Sequence, residues 1–294
     1  MDSFLRGSLV ALPTPFRGGE IDLQAFGNLI RKHRRAGTQG VVVLGTTGES
    51  CTVSARERAA LVRTAVEFAE GKLTVVVGVG TNDTTTSVEY TRQATDAGAD
   101  ALLAVTPYYN RPCERGLLLH YGKVASATTL PIVLYNVPVR TGVDLKPTWA
   151  RRLGAEHENI VALKEATQSI DRAREACEES GLKVLCGEDS LIAPFARFGA
   201  VGAVNVVGNV LPGEVADWLR ALGTDDQAPR AHELERIVLS MVEVLSLATN
   251  PVPVKAALAL KGWCSDEVRS PLAPLTLAER EELTERYREA CVPA

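Results

Sequence analysis

The sequence predicts an α/β protein: a (β/α)8 TIM barrel carrying a helical appendage at its C-terminal end. Two observations lead there. Short apolar runs alternate with amphipathic stretches as far as Leu222, which is the pattern of βα units around a parallel sheet. After the polar break Gly223-Thr224-Asp225-Asp226-Gln227-Ala228-Pro229 the pattern becomes purely helical. Eight strands matched by eight helices favour a closed barrel over an open doubly wound sheet.

The expected strands are Leu9–Leu12, Val41–Leu44, Thr74–Val79, Ala101–Val105, Ile132–Tyr135, Ile160–Leu163, Val184–Cys186 and Ala203–Val207. Each is a nearly continuous apolar run, as a strand covered on both faces requires. The expected helices between and after them are Leu23–Ala36, Ala55–Glu70, Thr85–Ala97, Gly116–Ala127, Pro147–Leu153, Ile170–Glu179, Leu191–Phe198 and Glu214–Leu222. Asp22, Ser54 and Asp189 are suitable N-caps, and Gly37, Gly71 and Gly98 are suitable helix stops. The tail reads as helices over Ala231–Leu247, Val254–Lys261 and Leu277–Ala290. The division expected is a barrel over 1–224 and a helical domain over 225–294.

Composition excludes several function classes. At 294 residues, with 46% hydrophobic and 23% charged residues, the chain can bury a large core and is neither disordered nor fibrous. A net charge of -4 with scattered cations argues against a nucleic-acid partner. The basic cluster Arg31–Arg35 closes an expected helix, where cations suit the dipole. Six cysteines far apart, with no C-x-x-C pair, read as reduced packing residues and give no metal site. Met1–Arg6 lacks a signal-peptide layout and no run approaches a membrane span, so the expectation is a cytoplasmic protein.

In such a barrel, chemistry collects where strands end at their C-terminal side. Lys164 ends the run Ile160–Leu163, and a cation there needs a partner or a task. Desolvation disfavours an ammonium, which makes a lysine at an apolar mouth a candidate Schiff-base nucleophile. The plain alternative is a snorkelling lysine paired with Glu165 or another carboxylate. Tyr135 ends the preceding run and would sit beside Lys164, where a phenol can relay protons during imine formation; it could also simply pack at the rim. Arg140 offers a planar fork for a carboxylate, or is a surface arginine. The loop Gly45-Thr46-Thr47-Gly48-Glu49-Ser50 has amides and hydroxyls suited to a carboxylate, or is an ordinary glycine turn. It is neither a Walker loop nor a dinucleotide fingerprint, and no phosphate motif supports pyridoxal phosphate. No cofactor is expected.

These strings, in this order, resemble the dihydrodipicolinate synthase (4-hydroxy-tetrahydrodipicolinate synthase) family of Schiff-base aldolases. The resemblance runs from Ser8–Phe16 to Asn250–Leu258. It implies an enzyme of the diaminopimelate and lysine pathway in which Lys164 forms an imine with pyruvate and the Gly45–Ser50 loop, through Thr46 and Thr47, holds the pyruvate carboxylate. Tyr135 would shuttle protons in a relay with Thr47 and with Tyr109 reaching in from a neighbouring subunit. That implies a homotetramer, a dimer of dimers. Arg140, in Tyr-Asn-Val-Pro-x-Arg-Thr-Gly, would anchor the carboxylate of aspartate semialdehyde, and Gly187 and Val204 would line the pocket. Ala162 and Gln168 stand where the family often has glycine. The cleft histidine and glutamate of lysine-inhibited relatives match Ala55 or Arg58 and Thr86, which implies weak or no lysine feedback. A related pyruvate aldolase, such as one acting on 4-hydroxy-2-oxoglutarate, and a non-catalytic barrel are the alternatives. The second would have lost part of this constellation.

Overall fold

The computed structural model describes residues 5–222 and 227–291. The division expected at 224/225 falls outside the described residues, as do the first four residues of the chain. Eight parallel strands close into a barrel in sequence order. They are β1 (Gly7–Ala11), β2 (Gly40–Val43), β3 (Thr74–Gly78), β4 (Ala101–Val105), β5 (Ile132–Asn136), β6 (Ile160–Glu165), β7 (Lys183–Cys186) and β8 (Gly202–Asn205), with β1 pairing both β8 and β2. A two-stranded ribbon, Phe16–Arg17 with Glu20–Ile21, follows β1.

The intervening helices are α1 (Leu23–Arg35), α2 (Ala55–Ala69), α3 (Thr84–Asp96), α4 (Glu114–Ala125), α5 (Pro147–Glu156), α6 (Ile170–Glu179), α7 (Ile192–Arg197) and α8 (Pro212–Ala221). A one-turn helix, Pro138–Thr141, precedes α5. Asp22 and Ser54 cap α1 and α2 through side-chain acceptors, Ser54 in a full capping box with Glu57. Gly37, Gly71 and Gly98 have φ of +78°, +63° and +86°, the left-handed stop that glycine adopts without a Cβ penalty. Asp189 does not cap a helix: its carboxylate accepts from the Val206 and Val207 amides instead.

Alternation along the strands sorts the side chains into two cores. Leu9, Val42, Val76, Leu103, Val133, Ala162, Leu185 and Val204 fill the barrel, while Val10, Val41, Val75, Leu102, Leu134, Leu163 and Val184 face the helices. The helix-side core continues into the C-terminal helices α9 (Ala228–Leu245), α10 (Val252–Leu260) and α11 (Leu277–Ala290) through Leu234, Val238, Met241, Val244, Val254 and Leu283.

Two histidines are buried in that helical shell. Burial pulls His33 and His120 each down to about 4. An unfolded histidine titrates near ~6.5, so between that value and about 4 the unfolded chain holds protons that the folded chain does not. Stability therefore falls as pH drops through this window. In His33→Gln the fall between pH 7 and 4.5 should shrink by roughly 2–3 kcal/mol relative to the parent, as urea midpoints would report. Asp189, raised by burial to about 6, acts with the opposite sign in both proteins and drops out of the difference.

Candidate active site

A β-bulge sets the centre of the site. Ile132 pairs with Ile160, but Val133 pairs with Ala162, so β6 spends one extra residue and Tyr135 comes level with Lys164. Lys164 then shares the inward face with Ala162, and Glu165 shares the outward face with Leu163. The Lys164 Nζ lies 4.0 Å from the centroid of the Tyr135 ring. Both residues are buried, at 6% and 5% exposure. Neither the amine nor the phenol hydroxyl has a hydrogen-bond or ion-pair partner among the described residues. A pairing of Lys164 with Glu165 is therefore absent, because adjacent residues of a strand point to opposite faces.

Glu165 has its own network behind the barrel wall. The Asn136 amide donates to both of its oxygens, at 3.2 and 3.0 Å, and the Thr167 N–H donates at 2.9 Å. Asn136 also donates to Asp144, which accepts a two-pronged contact from Arg172 at 2.8 Å. Burial raises the Glu165 carboxyl above its usual range, and these donors only partly offset it. Because Asn136 and Glu165 are the register pair that follows Tyr135 and Lys164, the network pins the strand ends that present the two reactive side chains.

The loop after β2 is tightly curled. Leu44 and Glu49 bracket it in left-handed conformation, with φ of +57° and +51°, and a Cβ on Gly48 would lie 3.1 Å from the Leu44 nitrogen. Such conformations cost non-glycine residues about 1–2 kcal/mol each and persist only under external bracing. Thr14 supplies part of that brace by donating to the Gly48 carbonyl at 2.7 Å. The Thr46, Thr47 and Gly48 amides have no acceptor within the chain among the described residues, which leaves consecutive N–H donors of the kind that bind anions. Thr47 is buried and its hydroxyl accepts from Asn250 Nδ2 at 3.0 Å. The Thr46 hydroxyl has no such partner.

Lys164, Tyr135, Thr46, Thr47, Arg140, Gly187 and Val204 all line one cavity of about 210 Å3 at the C-terminal mouth of the barrel. It adjoins a second space of about 310 Å3 bounded by Tyr108, Cys51 and Pro271. A Cβ on Gly187 would come within 2.8 Å of the Lys164 Cε, so the glycine makes room for the lysine arm. Arg140 is exposed on the one-turn helix after β5. Tyr109 alone of the expected residues stays outside: it is 89% exposed, with φ +74°. Among the described residues no His, Cys, Asp or Glu side chains cluster as a metal-ligand set, the six cysteines are unpaired, and no helix is long and apolar enough to cross a membrane. A larger open groove of about 1170 Å3 runs over α3, α4 and α5, and none of the expected site residues lines it.

Reading the sequence along its local periods missed the contribution of the tail. Asn250 and Ser246 line the cavity, and Lys255 forms an ion pair with Glu49 at 2.7 Å, the side chains being 0% and 2% exposed. The Arg269 amide donates to the other Glu49 oxygen at 2.9 Å. The available signal was a lysine inside the apolar helix Val252–Leu260, a buried cation in need of a counter-ion.

A closed barrel with an inward lysine against a tyrosine at its catalytic mouth is the architecture of a Schiff-base-forming lyase. The chain belongs to the dihydrodipicolinate synthetase family, whose model it matches over residues 4–290. It is 41% identical over 286 residues to 4-hydroxy-tetrahydrodipicolinate synthase from Geobacter metallireducens, covering 97% of this chain and 98% of that one. Dihydrodipicolinate synthase from Aquifex aeolicus superposes with a TM-score of 0.94 at 40% identity, covering 97% and 98% of the two chains. The chloride-inhibited synthase from Acinetobacter baumannii, solved in complex with pyruvate, superposes at 0.92 with 36% identity, covering 97% and 99%.

Proposed function

We propose that this chain is a 4-hydroxy-tetrahydrodipicolinate synthase, condensing pyruvate with L-aspartate 4-semialdehyde. The observation that carries the reading is the unpartnered Lys164 amine against Tyr135, in a cavity shared with Arg140 and the amide-lined loop. The neutral amine adds to the pyruvate C2 carbonyl while the Thr46–Gly48 amides hold its carboxylate. Loss of water from the carbinolamine gives the imine, with Tyr135 delivering and removing protons. Loss of a C3 proton gives an enamine that bonds to the aldehyde carbon. The amino group of the joined product then displaces Lys164 from C2, closing the ring and regenerating the free amine. One water leaves per turnover.

Of the two threonines, Thr46 is the better relay partner for Tyr135, because its hydroxyl is uncommitted. The relay role expected of Thr47 passes to it, and Thr47 becomes the anchor of the loop through Asn250. Arg140 binds the carboxylate of the semialdehyde. Gly187 and Val204 are wall residues. The exposure of Tyr109 supports its insertion into the site of a neighbouring copy, in a cytoplasmic tetramer built as a dimer of dimers. The C-terminal helices contribute Ser246 and Asn250 to the cavity wall, which supports reading the expected C-terminal segment as an appendage that completes the site. Arg58, donating to the Gly78 carbonyl and stacked 4.0 Å from the Tyr90 ring, is committed internally, which supports weak lysine feedback.

Coupled assays decide between substrates. Turnover of pyruvate with aspartate semialdehyde, reduced at least about tenfold in kcat/KM by Arg140→Ala, is the expected result. Activity confined to cleavage of 4-hydroxy-2-oxoglutarate would overturn the reading.

A further inference from the structure

Besides the Lys164 amine, the cavity carries one charge of each sign that the chain itself leaves unpaired. Arg140 follows β5 and Glu188 follows β7, so they stand on the two sides of β6, which bears Lys164. Among the described residues neither the Arg140 guanidinium nor the Glu188 carboxylate lies within ion-pair distance of an opposite charge. The adjacent Asp189 is spent: both its oxygens accept amides, from Val206 at 3.1 and 3.0 Å and from Val207 at 2.7 Å. Glu188 keeps accepting capacity. One oxygen takes the Ser190 hydroxyl at 3.3 Å and the other takes Gln168 Nε2 at 3.4 Å, both long bonds that a cation would displace or share. Gln168 also lines the cavity.

We propose that Glu188, steadied by Gln168, is the receptor for the ammonium group of the second substrate, opposite Arg140, which takes the carboxylate. An α-amino acid carries both groups on one carbon, so an aldehyde reaching toward Lys164 presents its carboxylate to one side of β6 and its ammonium to the other. The cavity is thereby matched to a zwitterionic α-amino aldehyde, and the des-amino analogue leaves a carboxylate without its cation. This rests on the function proposed above and adds to it a residue that selects the amino group.

Steady-state kinetics of the full-length enzyme test it with two aldehydes, aspartate semialdehyde and its des-amino analogue succinic semialdehyde, the latter as a competitive inhibitor. In Glu188→Gln the KM for aspartate semialdehyde should rise tenfold or more, as loss of a charge-assisted contact implies. The Ki of succinic semialdehyde and the KM for pyruvate should stay within about twofold. Gln168→Gly, at an exposed position, should raise the same KM a few-fold and leave the other two constants alone. An equal effect of Glu188→Gln on both aldehydes, or no effect on either, would overturn the assignment. If the parent traps pyruvate at Lys164 but does not turn over aspartate semialdehyde, the proposed function fails first and takes this inference with it.

Discussion

Replacing Lys164 with methionine should abolish turnover and leave a folded barrel. The substitution keeps a flexible arm of similar bulk beside Tyr135 and Gly187 and removes only the nitrogen. If the amine is the nucleophile, activity falls by at least about a thousandfold, since no other group in the cavity can form the imine. Borohydride in the presence of pyruvate should add one reduced pyruvate to the parent at Lys164 and nothing to the variant, by peptide mass spectrometry. An adduct on another residue, or substantial activity in the variant, would end the Schiff-base assignment. Tyr135→Phe should lose about 10²–10⁴ in kcat, the usual contribution of a proton relay, while still trapping pyruvate.

The largest stability effect should come from separating Glu49 and Lys255. Both side chains are buried, and the ammonium also sits 4.2 Å from the Phe16 ring, which Arg269 approaches at 4.3 Å as well. Burial pulls the Lys255 amine below its usual range, and Glu49 is the main influence opposing that. Removing either partner strands a charge, at a cost of about 3–5 kcal/mol, a large fraction of the ~5–15 kcal/mol that holds a domain together. Lys255→Met and Glu49→Gln should each lower the urea midpoint sharply. The double variant should recover most of the loss, because a neutral pair needs no counter-ion. Additive losses in this cycle would mean that the pair is not coupled. The double variant should still bind pyruvate less well, because the pair holds the left-handed turn at Glu49 that shapes the Thr46–Gly48 amides.

Much of this molecule was legible in its residues. Each expected strand overlaps an observed one, because a sheet covered on both faces demands apolar runs that polar loops interrupt. The helix stops at Gly37, Gly71 and Gly98 were readable because a left-handed φ favours the residue without a Cβ. Asp189 was misread for an equally physical reason: a carboxylate ahead of a helix suits a cap, but nothing local reveals that the Val206 and Val207 amides, 17 and 18 residues onward, compete for it.

The barrel, the end of it where chemistry collects, and the side chains that follow each strand could be read from the residues alone, with Tyr135 set beside Lys164. Those properties follow from local periodicity and chain order. The strand register behind that meeting, and the distant residues that brace the loops, depend on packing across the whole chain. Simple counting from Ile132 opposite Ile160 would set Tyr135 against the outward Leu163; the bulge in β6 moves it to Lys164. Asn250 reaches Thr47 across 203 residues and Lys255 reaches Glu49 across 206, so the loop that carries Thr46 and Thr47 is held from the far end of the chain. Register and long-range pairing are settled by how the whole surface packs and by which buried charges must be satisfied, quantities that no short window of residues contains.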